Sequence, residues 1–262
     1  MATSVVAETG GSPTVFFTPG AWHGPWIFDV VRSALSDRGF ATDATSLATP
    51  GSTDPSVGVA DDAAKVRSAL TKLIDEGKEV VLVAHSYGGV VASNAVEELG
   101  VQQRAAKGSK GGIIMILYLA AFVIPTNERL GTYLGGHHPD WWDISEDGFI
   151  TPMQPLQAFY ADVEPSLASK AVDALRPMPV RINTDISAYD PLEEGFEVGY
   201  IFAEEDQALL PEAQKAMFAR FPAGSFSASL QSSHSPFFSM SETLADTIQR
   251  AIKHVLSKRS SK

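Results

Sequence analysis

The chain has 262 residues, no cysteine and a formal charge of −11 at neutral pH. That charge argues against non-specific nucleic-acid binding, which needs clustered Lys and Arg to displace phosphate counterions. The absence of thiols excludes a disulfide framework, thiolate catalysis and a zinc–thiolate site.

Hydrophobic residues make up 44% of the chain and the mean hydropathy is +0.01, enough apolar material for the core of one large α/β domain. Residues 1–13 are rich in Ala, Ser, Thr and Gly, without a basic region followed by an apolar core, so they do not read as a secretory leader. The longest apolar run, residues 113–124, is too short to span a bilayer. Residues 257–262 read as a solvated basic tail rather than a membrane anchor. A cytoplasmic protein with neither a membrane nor a nucleic-acid partner is expected.

In chain order, residues 14–17 (Thr-Val-Phe-Phe) form a short buried strand, followed by a loop over 18–25. Ile27, Val30, Val31, Ala34 and Leu35 fall at i, i+3, i+4, i+7 and i+8, an amphipathic helix with Pro25 at its start and Gly39 at its end. Residues 40–46 read as a weak edge strand. Asp61 or Asp62 suits the cap of the next helix, whose stripe is Val66, Ala69, Leu70, Leu73 and Ile74.

Residues 80–84 then read as a strand buried on both faces, ending in His85-Ser86-Tyr87-Gly88-Gly89. Gly88 and Gly89 allow the chain to fold back into a helix over about 90–99, with Gly100 as a left-handed stop. A serine at the apex of a strand–turn–helix is the context of a nucleophile elbow, although Ala84 stands where the strict motif has glycine. Residues 113–124 supply a further buried strand, so the order β-α-β-α-β-α-β implies a parallel sheet with right-handed crossovers.

The alternation breaks over residues 125–194, which hold Trp141, Trp142, Phe159, Tyr160 and several prolines, with 167–175 the clearest helix. This stretch reads as a cap insertion over the carboxyl edge of the sheet. A strand at 198–203, a helix over 211–221 opened by Pro211, a strand at 225–230 and a final helix complete the chain. Ser239 and Glu242 have the spacing of a capping box for that helix, whose stripe is Leu244, Ile248, Ala251, Ile252 and Val255.

Ligands of open α/β sheets bind at the carboxyl ends of the strands. Ser86, an acid after the strand at 198–203, and His234 after the last strand occupy such ends in the order Ser…Asp/Glu…His. A serine hydroxyl needs an imidazole to take its proton, and the imidazole needs a carboxylate to fix its tautomer. Glu204, Glu205 and Asp206 compete for that last role. Asp206 is the choice, being furthest from the strand end.

The backbone N–H groups of Tyr87 and Ala21 are the candidate oxyanion donors, with Gly20 allowing close approach. Gly20, Trp22, Phe122 and Phe237 are candidates for the substrate pocket, and His85 is assigned to packing. His137, His138 and Asp140 lack a metal-ligand pattern, and no G-x-G-x-x-G follows the first strand. Neither a metal nor another cofactor is expected.

With these motifs in hand, the chain resembles α/β-hydrolases of the branch containing plant methyl esterases, hydroxynitrile lyases and their bacterial and fungal relatives. The segments carrying the resemblance are Gly20-Ala-Trp-His-Gly24, Ala84-His-Ser-Tyr-Gly-Gly89, Glu205-Asp-Gln-Ala-Leu-Leu-Pro211 and Ser233-His-Ser-Pro-Phe237. The resemblance spans about residues 14–256. It implies a mostly parallel sheet flanked by helices, a Ser86–His234–Asp206 triad, an oxyanion hole from Ala21 and Tyr87, no cofactor and a small apolar pocket under the cap.

Pro19 replaces the histidine common in the first motif. Gly20 and Ser235 stand where lyases of the branch carry threonine and lysine. Without that lysine, the resemblance favours ester hydrolysis over cyanohydrin cleavage. The expectation is cleavage of a carboxylic ester or lactone of a small, largely apolar molecule. The alternatives are a lyase or C–C bond-cleaving step on the same fold, or a non-catalytic small-ligand receptor. The sequence is compatible with a homodimer.

Overall fold

A computed structural model describes residues 11–136 and 138–261; most of the amino-terminal segment 1–13, together with His137 and Lys262, lies outside the described residues. Six strands form one sheet in the order β2-β1-β3-β4-β8-β9, and every pairing is parallel. They are β1 (Thr14–Thr18), β2 (Thr42–Ala44), β3 (Glu79–His85), β4 (Gly112–Leu119), β8 (Val198–Ala203) and β9 (Phe226–Leu230). The short, polar β2 lies at an edge, as its weak pattern implies.

Period-two alternation sends Val80, Leu82 and Ala84 of β3 into one core and Val81 and Val83 into the other. Helices α2 (Val59–Asp75) and α3 (Gly88–Ala95) cover the first face. Helices α1 (Asp29–Asp37) and α10 (Ser241–Ser260) cover the second. In β4 the register shifts by one residue opposite Val80/Val81, a bulge that places Ile114 and Met115 on the same side. No helix among the described residues is long and apolar enough to cross a membrane.

Several local expectations are corrected. The first helix begins as a 3-10 turn over Pro25–Phe28, which winds more tightly than an α-helix and shifts the phase of the stripe. Val30, at the edge of the face that Val31, Ala34 and Leu35 set within the regular helix, is 48% exposed, while Ile27, Val31, Ala34 and Leu35 are buried. The helix after Ser86 runs only over Gly88–Ala95. Gly100 is extended (φ −63°, ψ 143°) and opens α4 (Val101–Ala106) instead of stopping a helix, and the positive φ falls on Glu98.

The fourth strand ends at Leu119, where Ala120 takes φ 41° and turns residues 120–124 into a buried loop. The Ser239–Glu242 box does not form. Ser239 closes the short α9 (Pro236–Ser239), and the Glu242 carboxylate pairs with Arg38 instead.

Between β4 and β8, residues 125–194 build more regular structure than their pattern announces. The helices are α5 (Leu130–Tyr133), α6 (Pro155–Tyr160) and α7 (Pro165–Ala174). The strands β5 (Trp142–Ile144), β6 (Phe149–Pro152) and β7 (Met178–Pro179) form a separate antiparallel sheet.

Candidate active site

β3 delivers Ser86 at the apex of a tight turn with φ 53°, a left-handed conformation that costs a non-glycine residue about 1–2 kcal/mol. Three backbone hydrogen bonds hold it there. Ser86 N donates to the Leu119 carbonyl at 3.3 Å, and the Ser86 carbonyl accepts from Gly89 N at 2.9 Å and Phe122 N at 3.1 Å. A Cβ on Gly88 would sit 2.5 Å from the Pro19 carbonyl oxygen, and one on Gly89 would sit 2.3 Å from that of Phe122. Both glycines are dictated by backbone passing directly overhead. Ala84 is wholly buried in the core, so a methyl group is accommodated at that position.

His234 and Asp206 arrive on the loops after β9 and β8. His234 Nδ1 lies 2.6 Å from Asp206 Oδ2, and both side chains are buried. Asp206 Oδ1 accepts from Ala208 N at 2.8 Å and Leu209 N at 2.9 Å, and Oδ2 also accepts from Gln214 Nε2 at 3.2 Å. A carboxylate held by these donors can only accept, so Nδ1 carries the proton and the neutral ring leaves Nε2 as its basic nitrogen. Glu204 is engaged elsewhere, accepting from Lys215 at 2.8 Å and Ser229 Oγ at 2.6 Å, and Glu205 is exposed. Of the three competing acids, the structure brings Asp206 to the imidazole.

His85 does more than pack. Its Nε2–H donates to the His234 carbonyl at 2.9 Å, with the two rings 4.6 Å apart. Burial holds His85 well below the ordinary histidine pKa, with the neighbouring His234 and His23 adding to the effect, so it is neutral at physiological pH. On the other flank of His234, Ser233 N donates to Asp162 Oδ2 at 3.0 Å, and the Ser233 hydroxyl reaches both Asp162 and the Phe159 carbonyl. Neither contact has a local signal in the sequence, because the partners lie 149 and 71 positions apart.

Gly20 sits against the elbow: a Cβ there would lie 2.8 Å from Ser86 Cβ and 3.1 Å from His85 Nδ1. Tyr87 occupies the N-cap position of α3, and its hydroxyl donates to Asp62 Oδ2 at 2.8 Å. Asp62 is therefore not a helix cap. It is fully buried and also accepts from Ala48 N (2.6 Å), Thr49 N (2.9 Å) and Thr49 Oγ1 (2.7 Å), while Asp61 serves the helix start through Gly58 N at 2.9 Å. Burial pushes the Asp62 carboxyl above the ordinary range, opposed by the hydrogen bonds from Thr49, Tyr87 and Ala48.

Ser86, His234, Ala21 and Tyr87 all line one small cavity. Trp22, Phe122, Trp141, Trp142 and Phe159 wall it, and among the described residues no Asp, Glu, Lys or Arg lines it. Trp22 meets Trp142 edge-on at 5.7 Å and Phe159 at 5.6 Å. Phe237 is corrected: it is fully buried on the opposite face, against Phe28 and His85, because the α9 turn points it away from the cavity. His138 is exposed and bonded to Asn183 at 3.0 Å, Asp140 is exposed, and His137 lies outside the described residues. No group of three His, Asp or Glu side chains suited to a metal occurs among the described residues.

Known proteins share this architecture over nearly their whole length. The protein named alpha/beta hydrolase nvfD, from Aspergillus novofumigatus, is 26% identical over 244 residues, covering 91% of this chain and 96% of its own. The pFDCC methylesterase MES16 of Arabidopsis thaliana is 26% identical over 267 residues, covering 94% of this chain and 97% of its own. The crystal structure of MES16 superposes with a TM-score of 0.72 at 23% identity, over 92% of this chain and 99% of that one. A pyrethroid hydrolase from Sphingobium faniae JZ-2 gives 0.71 at 19% identity, over 92% and 97%. Likeness at this identity speaks for the fold. A family model described as the alpha/beta hydrolase family matches residues 15–247, and the chain therefore belongs to the alpha/beta hydrolase family of enzymes.

Proposed function

We propose that the protein is a serine hydrolase cleaving a carboxylic ester or lactone of a small, largely apolar molecule. The observation that carries this reading is the buried His234–Asp206 hydrogen bond, opening onto the same cavity as Ser86. Relatives named as methylesterases support the choice of ester chemistry.

In the proposed reaction, Ser86 Oγ attacks the ester carbonyl carbon and its proton passes to His234 Nε2. Asp206 keeps Nδ1–H directed and stabilises the imidazolium. The negative oxygen of the tetrahedral intermediate is held by the N–H groups of Ala21 and Tyr87, an interaction of about 3–4 kcal/mol per donor in comparable sites. The intermediate collapses by breaking the bond to the alkoxy oxygen, which takes the proton from His234. Water then repeats the sequence on the acyl-enzyme. A cavity walled by indole and phenyl rings, without a formal charge, suits a neutral and partly aromatic substrate.

Intact mass after treatment with a fluorophosphonate tests the reading. One adduct on the native chain is expected, absent from Ser86→Ala and much slowed in His234→Ala. An unlabelled native chain, with the reagent active on a control hydrolase, would count against an activated serine and favour the receptor alternative.

A further inference from the structure

Trp22 has φ 65°, a left-handed conformation that a bulky aromatic residue adopts only when its surroundings impose it. What imposes it comes from residues 125–194. Trp22 N donates to Met178 Sδ at 3.3 Å, the Trp22 carbonyl accepts from Arg176 N at 3.1 Å, and the indole Nε1–H donates to the Ile150 carbonyl at 3.0 Å. Both backbone polar groups and the side-chain donor of this residue are thus satisfied by the insertion.

The next residue extends the linkage. His23 Nδ1 lies 2.6 Å from the Ala21 carbonyl and Nε2 lies 2.6 Å from the Tyr160 hydroxyl. A carbonyl can only accept, so Nδ1–H is the donor and Nε2 of the neutral ring accepts from Tyr160. Burial, reinforced by the nearby His234, pushes His23 down to about pKa 4 against the opposing Ala21 hydrogen bond, which keeps the ring neutral at physiological pH. The chain Tyr160–His23–Ala21 therefore ends on the carbonyl of the residue whose N–H is assigned to the oxyanion.

Resting on the serine-hydrolase reading above, we infer that the insertion does more than wall the cavity: Tyr160, acting through His23, is a positioning residue that holds the Ala21 half of the oxyanion hole. A wall residue alters how well the ground state binds. A residue positioning an oxyanion donor alters only the interactions made as charge develops on the carbonyl oxygen.

Tyr160→Phe separates the two roles, because it deletes one hydroxyl and keeps the ring. With p-nitrophenyl acetate and butyrate, kcat should fall about tenfold for both esters while KM stays within about twofold. Affinity for an aryl trifluoromethyl ketone, which forms an oxyanion on the serine, should fall by the same factor. Affinity for the matching non-electrophilic alcohol should not change. His23→Phe should lose at least as much, and Tyr160→Phe/His23→Phe no more than His23→Phe alone, since both act through one link.

The inference is overturned if Tyr160→Phe raises KM and weakens the alcohol while kcat and the ketone are untouched, if nothing changes, or if the two losses add. Tyr160→Phe decides alone if His23→Phe does not fold. A native chain that neither turns over the esters nor takes up fluorophosphonate would remove the serine-hydrolase reading itself. A native chain that does both, with Tyr160→Phe indistinguishable from it, would remove the positioning role only.

Discussion

Nδ1 of His234 stands 2.6 Å from Oδ2 of Asp206, with both side chains closed off from solvent. Asp206→Asn keeps the shape and can present an amide N–H to the ring, favouring the wrong tautomer. A fall in kcat of about 10³–10⁴ is expected from p-nitrophenyl ester kinetics. Glu204→Gln and Glu205→Gln should leave kcat within about twofold, since neither carboxylate is directed at the imidazole. A comparable loss in either would reassign the acid.

The backbone over the elbow leaves no room for a methyl group at Gly88. Gly88→Ala would set a Cβ 2.5 Å from the Pro19 carbonyl oxygen and 2.8 Å from that of Thr18, and neither is a flexible side chain that can move aside. A destabilisation of about 1–3 kcal/mol is expected, with loss of fluorophosphonate labelling. Gly11→Ala, where nothing lies within 4 Å, should change neither. Thermal melts and labelling of the two variants make the comparison.

Asp62 joins the 48–49 loop to Tyr87, the residue after Ser86, through four accepted hydrogen bonds. Asp62→Ala strands several buried donors, each costing about 1–3 kcal/mol, so a loss of at least about 3 kcal/mol is expected in urea unfolding. Tyr87→Phe and Thr49→Val each remove one donor but leave the carboxylate with partners, and should cost about 1 kcal/mol. A milder Asp62→Ala would mean that water replaces the carboxylate.

His23 and His85 are buried and neutral, with folded-state pKa values below the ordinary 6.5. The sign follows from proton uptake. Between pH 6.5 and about 4 the unfolded chain binds a proton at His23 that the folded chain refuses, so stability falls as the solution is acidified through that window. For His23 alone the loss amounts to about 3 kcal/mol, from about 1.4 kcal/mol per pKa unit. His85 acts in the same direction. His23→Phe should flatten the dependence of urea midpoints on pH in this window, and an unchanged slope would refute the neutral assignment.

The parallel sheet and the serine elbow are legible in the sequence because their signals are local and strong. Five apolar residues run into a turn whose two glycines are dictated by neighbouring backbone, and the Ser–acid–His order fixes where the loops converge. The sheet β5-β6-β7 is not legible. Its strands have three, four and two residues, too few for an alternating pattern to stand out. Asp62 misleads because an acid near a helix start has two uses, and only the fold shows that Asp61 takes the local one. Ser239 misleads similarly, since the proline-led turn after His234 consumes it before α10 begins. Phe237 follows the histidine closely in sequence, yet the intervening turn sends it to the opposite core.

The three hydrogen bonds on Trp22 also bear on the order in which the molecule is made. Trp22 is held by Ile150, Arg176 and Met178, so its partners lie 128 to 156 positions further along the chain. A nascent chain that has folded only β1 to β3 has the elbow but none of the three partners that hold Trp22 in the loop beside it. Closing so long a loop is slow compared with pairing neighbouring strands. On the proposed serine-hydrolase reading, labelling of Ser86 by a fluorophosphonate is therefore expected only in chains long enough to include residues 150–178.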